Sequence, residues 1–429
     1  MSEAAPDLVF ADESGRILDL PDLEAVGSSA GRWVRPDPED WIPLPPGSEL
    51  FLLPRRIPVG YDRRTRRFRV LDDARFGRIT AVAAFSAPAH TVLHSAAYRS
   101  LRNAPVLPLF AYGAVGWRDD GFVTTAMRID PDPRQDIDRF DGAEIQLRAQ
   151  RRMSEEPDNR LLQHLGGCAL RSGCPAARNL FMERWEAPLP TSPSCNASCL
   201  GCISLQQNSP VCATQERIRF VPTPEEICDV AIPHLRSAPR AVVSFGQGCE
   251  GEPLLQAPTI EQAIRDMRRA TSRGTINMNT NGSLPQAVAA LARAGLDSIR
   301  VSLNSARPGC YERYYEPRGY RFEDLMDCVR VIKAAGGFAS LNYFVLPGFS
   351  DQPEEVDALI DFVAETGVDL IQMRNFNIDP EWYLAHVGHR PPARPEERPV
   401  GIRILMQRLS ERIPALRFGY YNPCLDPTA

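Results

Sequence analysis

Residues 194–203 read Ser-Cys-Asn-Ala-Ser-Cys-Leu-Gly-Cys-Ile and place Cys195, Cys199 and Cys202 at C-x3-C-x2-C spacing. Three thiolates in one short loop can bind three irons of a cubane iron–sulfur cluster, and the motif supplies no fourth ligand. The remaining iron is then open to a small chelating ligand and to one-electron chemistry, which favours an enzyme. The alternative is a zinc site, because such spacings also suit tetrahedral zinc. A zinc ribbon would need a second close pair, whereas the next cysteine, Cys212, stands alone.

Three later segments follow this loop. Residues 244–255 read Ser-Phe-Gly-Gln-Gly-Cys-Glu-Gly-Glu-Pro-Leu-Leu, residues 279–282 read Asn-Thr-Asn-Gly, and residues 302–305 read Ser-Leu-Asn-Ser. Together with the cysteine loop, this ordered set resembles the radical S-adenosylmethionine superfamily over about residues 185–380. The resemblance implies a [4Fe-4S] cluster on the three cysteines. It also implies S-adenosylmethionine bound by Gly251, Glu252, Pro253, Asn281, Ser302 and Asn304.

The resemblance further implies a reaction. An electron from the cluster cleaves the sulfonium, and the resulting 5′-deoxyadenosyl radical abstracts a hydrogen from a substrate. Glu252 and the carbonyls around Pro253 would accept hydrogen bonds from the methionyl ammonium group, and Asn281 and Asn304 would contact ribose or carboxylate. The alternatives are a helix start at Glu252 and an ordinary turn at Asn281. The sequence identifies no catalytic residue for the substrate.

Two positions depart from the family pattern. Gly201 precedes the third cysteine, where an aromatic residue is common, so the cover of the adenine edge is unassigned. Glu250 replaces the first glycine of the methionine-binding segment, so a different backbone path is expected there. Arg300 alternates with apolar neighbours in a strand and points either into the barrel or over its rim.

Length and charge bound the remaining possibilities. The chain has 429 residues, which favours two domains or one barrel with a large extension. With 49 basic and 54 acidic residues and a net charge of −5, a nucleic-acid partner is not expected. The basic run at residues 63–69 is interpreted as a solvated hairpin turn.

The cysteine content and the apolar pattern indicate a compartment. Eleven cysteines without a disulfide-like framework indicate reducing conditions and metal ligation. The first residues have no basic region followed by an apolar stretch, and no run of about 18 apolar residues occurs. A cytoplasmic protein with no membrane partner is therefore expected.

From Thr223 onward, the sequence repeats a capped amphipathic helix, a glycine stop and a short apolar strand. Pro233 is expected to end or kink the first of these helices. Counting residues 186–190 as a first strand gives six strand–helix units and predicts an α/β fold, a partial (βα)6 TIM-like barrel with its site at the carboxyl ends of the strands.

The other regions read differently. Turn residues 12–15 and 119–121, each flanked by apolar pairs, indicate hairpins. The predicted organisation is a β-rich N-terminal domain over residues 1–150, a connector over 151–185, the radical SAM partial barrel over 186–415 and a C-terminal tail over 416–429.

Several cysteines lie outside the cluster loop. Cys168, Cys174, Cys212 and Cys424 could form a second iron–sulfur or zinc site, because four thiolates complete a closed site. The alternative is that the spare thiols act as small buried hydrophobes. His386 and His389, in a proline- and arginine-rich loop, are interpreted as surface residues rather than metal ligands.

Three functions stay open. The first is a radical SAM oxidoreductase or cofactor-maturation enzyme with a small-molecule or peptide substrate, an electron donor such as flavodoxin or ferredoxin, and a mouth covered by the β-rich domain. The second is a radical SAM RNA methyltransferase, because residues 248–255 are similar to the methionine segment of the ribosomal adenine-methylating enzymes; Cys424 would be its methyl carrier. The third is a non-catalytic binding module stabilised by zinc or a cluster.

Overall fold

The computed structural model describes residues 5–72 and 77–426. Residues 7–128, called here the β-rich part, form an antiparallel sheet that has eleven strands among the described residues, together with a small sheet of three. The strands are β1 (Asp7–Ala11), β2 (Ile17–Ala25), β3 (Gly27–Ser29), β4 (Arg32–Val34), β5 (Trp41–Pro43), β6 (Glu49–Leu53), β7 (Arg56–Asp62), β8 (Arg67–Val70), β9 (Thr80–Phe85), β10 (His90–Val92), β11 (Ser95–Ala96), β12 (Tyr98–Ser100), β13 (Val115–Arg118) and β14 (Gly121–Arg128).

The predicted hairpins are present. β1 pairs with β2, and β13 pairs with β14 through a turn in which Asp119 and Asp120 have φ of 52° and 59°. Two consecutive residues with positive φ are the signature of a tight turn whose twist matches that of the strands. The basic run lies at the turn between β7 and β8, as expected for a solvated hairpin.

Three helices lead from the β-rich part to the second sheet, so the predicted connector is helical. They are α1 (Gly142–Glu155), α2 (Arg160–Leu170) and α3 (Pro175–Phe181). Asp141 and Asn159 cap the first two by accepting hydrogen bonds from backbone N–H groups of the first turn.

The second sheet and its helices, called here the barrel part, follow the predicted alternation. All of its strand pairs are parallel, in the sequential order expected of right-handed crossovers. Its strands are β15 (Glu186–Pro188), β16 (Val242–Phe245), β17 (Thr275–Thr280), β18 (Ser298–Leu303), β19 (Phe338–Val345), β20 (Leu370–Asn375) and β21 (Arg417–Gly419). Its helices are α4 (Pro224–Ser237), α5 (Ala257–Ala270), α6 (Pro285–Ala294), α7 (Pro308–Tyr315), α8 (Phe322–Ala334), α9 (Pro353–Thr366), α10 (Pro380–His386) and α11 (Ile402–Arg412).

The strand count differs from the prediction. Within the described residues the parallel sheet has seven strands instead of six, because β21, in the predicted C-terminal tail, pairs with β20. The edge strands β15 and β21 do not pair with each other, so the barrel is open. β21 has three residues and no apolar run, which is why its sequence gave no strand signal.

Helix ends follow local rules, with one exception. Thr223 forms a capping box with Glu226, and Gly295 ends α6 in the left-handed conformation with φ of 116°. Pro233, in contrast, lies inside α4, which continues to Ser237. A proline cannot donate to the carbonyl four residues earlier, but that carbonyl, of Asp229, accepts from the Arg152 guanidinium at 3.2 Å. Of the two expected effects, an end or a kink, α4 does not show the end at Pro233, because an external donor replaces the missing bond.

The β-rich part packs across the barrel part near the ends of β19 and β20. The Thr91 hydroxyl donates to the Met373 carbonyl at 2.6 Å, and the backbone N–H of Val92 donates to the Asn375 side chain at 2.8 Å. Arg56 and Asp379 form an ion pair at 2.7 Å with both side chains 2% exposed. This contact places the β-rich part beside the carboxyl ends of the parallel strands. Among the described residues, no helix has both the length and the apolar character needed to cross a membrane.

Candidate cluster and cofactor site

A cavity of about 630 Å³ opens at the carboxyl ends of the parallel strands. The predicted residues that line it come from separate loops and strand ends: Cys195, Cys199, Cys202, Gly251, Glu252, Pro253, Asn281 and Ser302. Phe85, Pro88 and Ala111 of the β-rich part contribute apolar wall. Sequence-remote motifs therefore converge on one site, as parallel topology requires.

Two backbone hydrogen bonds attach the cysteine loop to α7. The backbone N–H groups of Ser198 and Leu200 donate to the carbonyls of Tyr315 and Tyr314, each at 2.9 Å. A Cβ at Gly201 would come within 2.9 Å of the Tyr314 hydroxyl, and Tyr314 also lines the cavity. The glycine thus makes room for an aromatic ring supplied by α7 instead of by the loop itself.

Burial shifts the pKa of two of the three thiols. Burial raises the pKa of Cys199 well above its ordinary value and that of Cys195 to about 11, and the Glu252 carboxylate adds to the shift at Cys195. Arg217 donates to the Cys202 sulfur at 3.4 Å. Because metals bind thiolates, loading this loop should release protons.

Glu250, the departure from the family pattern, is a buried anchor. Its carboxylate accepts from the backbone N–H groups of Thr191 and Ser192 at 2.8 and 2.9 Å, and from those of Gly246 and Gln247 at 2.7 Å each. Burial raises its pKa to about 7, while the four donors act in the opposite direction. Glu250 therefore fastens the segment before the cysteine loop to the loop after β16.

Gly251 lies directly under the cysteine loop. Its N–H donates to the Ser192 carbonyl at 2.7 Å, and that of Glu252 donates to the Ser194 carbonyl at 2.8 Å. A Cβ at Gly251 would overlap the Ser194 carbonyl, so the close approach requires glycine.

The Glu252 carboxylate has protein partners of its own. It accepts from the Thr280 hydroxyl at 2.5 Å and from the backbone N–H groups of Asn281 and Leu254 at 2.8 and 3.1 Å. Burial raises its pKa to about 7 against these bonds. An ionised carboxylate has about four acceptor positions, so three donors leave it room for about one more. Its main observed role is to join the ends of β16 and β17.

Two asparagines at the end of β17 face the cavity. The Asn281 amide donates to the side chain of Asn196 in the cysteine loop at 2.8 Å, which links the two motifs. The side-chain oxygen Oδ1 of Asn279 accepts from the side-chain amides of Asn277 and Asn422, whereas its buried Nδ2 has no partner. That orphaned donor in the cavity lining suits a ligand acceptor.

Asn304 lies elsewhere. Its amide donates to the Tyr383 hydroxyl at 3.0 Å and to the Cys310 carbonyl at 3.3 Å, and the residue is absent from the cavity lining. β18 ends at Leu303, so Asn304 lies beyond the strand whose alternation turns Ser302 toward the cavity, and its cofactor contact stays a prediction. Arg300 does point inward, and this settles the two alternatives for its side chain.

The barrel interior is polar and carries charged side chains of both signs. The Arg300 guanidinium donates to the Gln372 side chain at 3.0 Å, whereas its Nε has no partner. The side-chain oxygen of Asn342 also has no partner. Arg374 lies in the same lining and stacks on Tyr420 at 4.0 Å. Burial, with the charge of Arg374 next in importance, lowers the pKa of Arg300 to about 10, so the Arg300 guanidinium is charged at neutral pH.

The four cysteines proposed for a second site do not gather. Cys168 and Cys174 line the cavity, but Cys212 is exposed and outside the lining. The Cys424 sulfur lies against the Ala241 carbonyl, before β16, whereas the cavity lies beyond its other end. β16 has four residues. A strand of that length spans about 13 Å, so Cys424 cannot join the others.

A different group forms beside Cys168. His164, Cys168 and Cys249 have their ligand atoms within 4.8 Å of one another. Hydrogen bonding to the Cys249 thiol, with a further contribution from His164, lowers the pKa of Cys168 to about 5. His164 and Cys168 were detectable as an i, i+4 pair on a helix, but Cys249 is too distant in sequence for any spacing rule.

The loop histidines do not form a pair of ligands. His386 is exposed and its ring contacts the Arg313 carbonyl at 2.8 Å, while the His389 ring packs on Phe349 at 6.1 Å between centroids. His386, the last residue of α10, is therefore a surface residue as interpreted, whereas His389 is half-buried.

Comparison with known proteins finds a family match over part of the chain. Residues 189–363 match the model of the Radical SAM superfamily. The GTP 3′,8-cyclase of Streptomyces coelicolor is 26% identical over 174 residues, 39% of this chain and 49% of the relative. The probable GTP 3′,8-cyclase of Thermococcus kodakarensis is 31% identical over 118 residues, 26% of this chain and 36% of the relative.

Among solved structures, Streptococcus suis SuiB bound to the precursor peptide SuiA is 15% identical, with a TM-score of 0.38 over 57% of this chain and 53% of that one. The chain spans about half, or less, of the curated relatives named above. The matched segment begins just before the cysteine loop and ends within α9. This match indicates a radical SAM domain over residues 189–363, and the family of that name uses a [4Fe-4S] cluster and S-adenosylmethionine.

Proposed function

We propose that this chain is a radical SAM enzyme that removes a hydrogen atom from an anionic small molecule or peptide bound in the barrel cavity. The observation that supports it is the convergence of the cysteine loop, the Gly251–Pro253 segment and two inward guanidiniums on one cavity. A closed structural site would need neither the cavity nor the charges.

The residues present fit the cofactors. Cys195, Cys199 and Cys202 would hold three irons, since three thiolates from one loop leave one iron open. The unpartnered Asn279 amide in the cavity lining would provide a side-chain donor for S-adenosylmethionine. Further contacts would come from the cavity-lining residues Glu252, Pro253, Asn281 and Ser302. When bound, the two groups supply a hydrogen-abstracting radical, and the chain supplies position, charge and exclusion of water.

The polar interior favours a substrate with a carboxylate or phosphate. Arg300 and Arg374 are held in place by protein partners and present guanidiniums that could bind an anionic group, while Glu186 in the same lining offsets part of the charge of Arg300. Two curated relatives carry the name GTP 3′,8-cyclase, and GTP is itself polyanionic. The apolar wall from Phe85, Pro88 and Ala111 would shield the reacting carbon from solvent.

The first test is anaerobic. Protein reconstituted with iron and sulfide and reduced with dithionite should convert S-adenosylmethionine into 5′-deoxyadenosine. Cys199→Ala should abolish this conversion and lower bound iron, whereas Cys212→Ala, at an exposed position outside the cavity, should change neither. Turnover by the Cys199→Ala variant would contradict the proposal.

The second test concerns charge. GTP, pyrophosphate and a glutamate-rich peptide serve as anionic probes, with guanosine as the uncharged control. We expect at least one anion to raise the melting temperature of the reconstituted protein, and Arg300→Met to remove that shift. Equal shifts by guanosine, or shifts unaffected by Arg300→Met, would argue against an anionic substrate at this position. Replacing dithionite by reduced flavodoxin or ferredoxin tests the expected electron donors.

The other two functions have weaker support. An RNA methyltransferase of the proposed kind needs a methyl-carrying cysteine at the cavity, and Cys424 lies at the opposite ends of the strands. Methyl transfer to added RNA would restore that alternative. A non-catalytic binding module predicts zinc in the cysteine loop and no iron after anaerobic reconstitution, which the same metal measurement detects.

A further inference from the structure

A second group of metal-binding side chains lies beside the cluster loop. The imidazole of His164 and the sulfurs of Cys168 and Cys249 have their ligand atoms within 4.8 Å of one another, and the His164 Nε2 lies 3.6 Å from the Cys168 sulfur. Among the described residues, this is the one group in which at least three His, Cys, Asp or Glu side chains lie close enough to share an ion.

Rigid elements position these ligands. His164 and Cys168 are four residues apart on α2 and therefore project from the same helical face. Cys249 lies in the loop after β16 and is 5% exposed, with its carbonyl accepting from the Ile218 N–H at 2.8 Å. The next residue, Glu250, is fixed by four backbone donors, so the loop that presents Cys249 has little freedom.

The spacing suits a single ion better than a cluster. Ligands of one tetrahedral zinc stand about 2.0–2.3 Å from the metal, which puts the ligand atoms themselves about 3.3–3.8 Å apart. Ligands of a cubane bind different irons and must lie farther apart. The cysteines 195, 199 and 202 do not form such a single-ion group, as expected of cluster ligands.

Charge and access also agree. Two thiolates neutralise a divalent cation and the imidazole is neutral, so the occupied site needs no further counter-ion in a buried position. Cys168 and Cys249 line the same cavity as the cluster loop, so a fourth coordination position can face that cavity. Three protein ligands with one open position are typical of catalytic zinc sites.

We infer that His164, Cys168 and Cys249 bind one zinc-type divalent cation whose fourth position opens into the cavity. Nearby Cys174 lines the cavity but is outside the triad. The cation would present a Lewis acid to a substrate oxygen or sulfur, or to water, beside the site of hydrogen abstraction.

The test uses the full chain with Cys195, Cys199 and Cys202 all changed to alanine, so that the cluster loop holds no metal. After anaerobic incubation with zinc sulfate and removal of free ion, mass spectrometry of the metal content should give one zinc per chain. His164→Ala, Cys168→Ser or Cys249→Ser in this background should reduce bound zinc to near none, and Cys212→Ser should not.

Two further measurements guard against misfolded variants. Cobalt(II) in place of zinc should give thiolate-to-cobalt charge-transfer absorption in the parent chain. Bound zinc should also protect Cys168 from iodoacetamide while leaving the exposed Cys212 as reactive as before, which needs no variant at the site.

Several outcomes would overturn the inference: no zinc in the parent chain, bound iron with sulfide that depends on Cys249, or a Cys168–Cys249 disulfide without metal. Loss of zinc in Cys174→Ser would overturn the open fourth position, because it would make that thiol a ligand. S-adenosylmethionine cleavage has no part in these readouts, so this site and the proposed function fail separately.

Discussion

At the scale of the residue, Glu250 and Gly251 decide how the cysteine loop is attached to the barrel. The Glu250 carboxylate accepts hydrogen bonds from four backbone N–H groups. Gly251 permits a close backbone contact with Ser194 that any side chain would prevent. The two residues thereby fix the loop through main-chain groups and leave its sulfurs free for metal.

Glu250→Gln should destabilise the fold. The glutamine NH2 would face two backbone N–H groups that now donate to a carboxylate oxygen, and those donors would be left unsatisfied in a buried site. We expect the free energy of unfolding to fall by about 3 kcal/mol, measured by urea denaturation of the full chain. Glu323→Gln, whose side chain is 61% exposed, is the control and should change stability little. Equal losses in the two variants would contradict the anchoring role.

Gly251→Ala should displace the cysteine loop. The new methyl group overlaps the Ser194 carbonyl, next to Cys195, so the backbone must shift. We expect bound iron after reconstitution to fall several-fold, measured by iron and sulfide analysis on protein with an unchanged circular dichroism spectrum. Gly309→Ala, where a Cβ would meet open space, should retain full iron content.

The residues of the site were predictable to the extent that they lie in motifs. The cysteine loop and residues 251–253 carry their chemistry in their spacing, and the cavity contains them. Asn304 follows the last residue of β18, so the strand pattern that turns Ser302 inward does not extend to it. No spacing rule connects Cys249 with α2, since only the chain's path brings the two together.

At the scale of the element, α4 shows how tertiary contact overrides a local rule. Pro233 is exposed and sits inside the helix, and Arg152 of α1 donates to the carbonyl that the proline cannot satisfy. Capping boxes and glycine stops were readable because they act within a few residues. This replacement donor comes from another helix, so no local pattern could show it.

Pro233→Ala should stabilise α4. Alanine restores the missing N–H and, being at an exposed position, removes little packing, so we expect a gain of about 2 kcal/mol in unfolding free energy. Arg152→Ala should cost less in the Pro233→Ala background than in the parent chain, because the Asp229 carbonyl would then have a helical partner. A double-mutant cycle by urea denaturation measures this coupling, and strict additivity would contradict it.

His234 of α4 should make stability depend on pH. It is 2% exposed and its ring contacts the Trp185 carbonyl at 2.8 Å, and burial lowers its pKa from 6.5 to about 4. As pH falls, the unfolded chain takes up the proton first. The contribution is therefore fully present above pH 6.5 and is lost between 6.5 and 4, by about 3 kcal/mol in all.

His234→Gln keeps a side-chain donor for the Trp185 carbonyl and cannot titrate. Urea midpoints of parent and variant between pH 4 and 7 should converge as the pH falls. A constant difference over this range would show that His234 does not bind its proton as proposed.

At the scale of the whole molecule, the two sheets meet through buried polar contacts. The parallel sheet and its helices share one large apolar core, while the β-rich part has several small ones. The presence of two differently patterned regions was readable from the sequence. Their docking was not, because Arg56 and Asp379 are remote in sequence and look like ordinary surface charges.

Arg56→Met should destabilise the whole chain. It leaves the Asp379 carboxylate, 2% exposed, without its cation, and breaking a buried pair in this way costs about 3–5 kcal/mol. Arg99→Met removes an exposed pair with Asp72, 47% and 65% exposed, and should cost less than about 1 kcal/mol. Comparable losses in thermal denaturation would contradict a special role for the buried pair.

The Arg56–Asp379 pair also limits modular exchange. A shortened chain that kept only the barrel would expose the cavity on the side of Phe85 and Pro88 and leave an uncompensated acid at the start of α10. A fusion of this barrel part to another N-terminal sheet would succeed only if that sheet placed a guanidinium beside Asp379. Neither part of the chain can therefore be exchanged without a replacement for this ion pair.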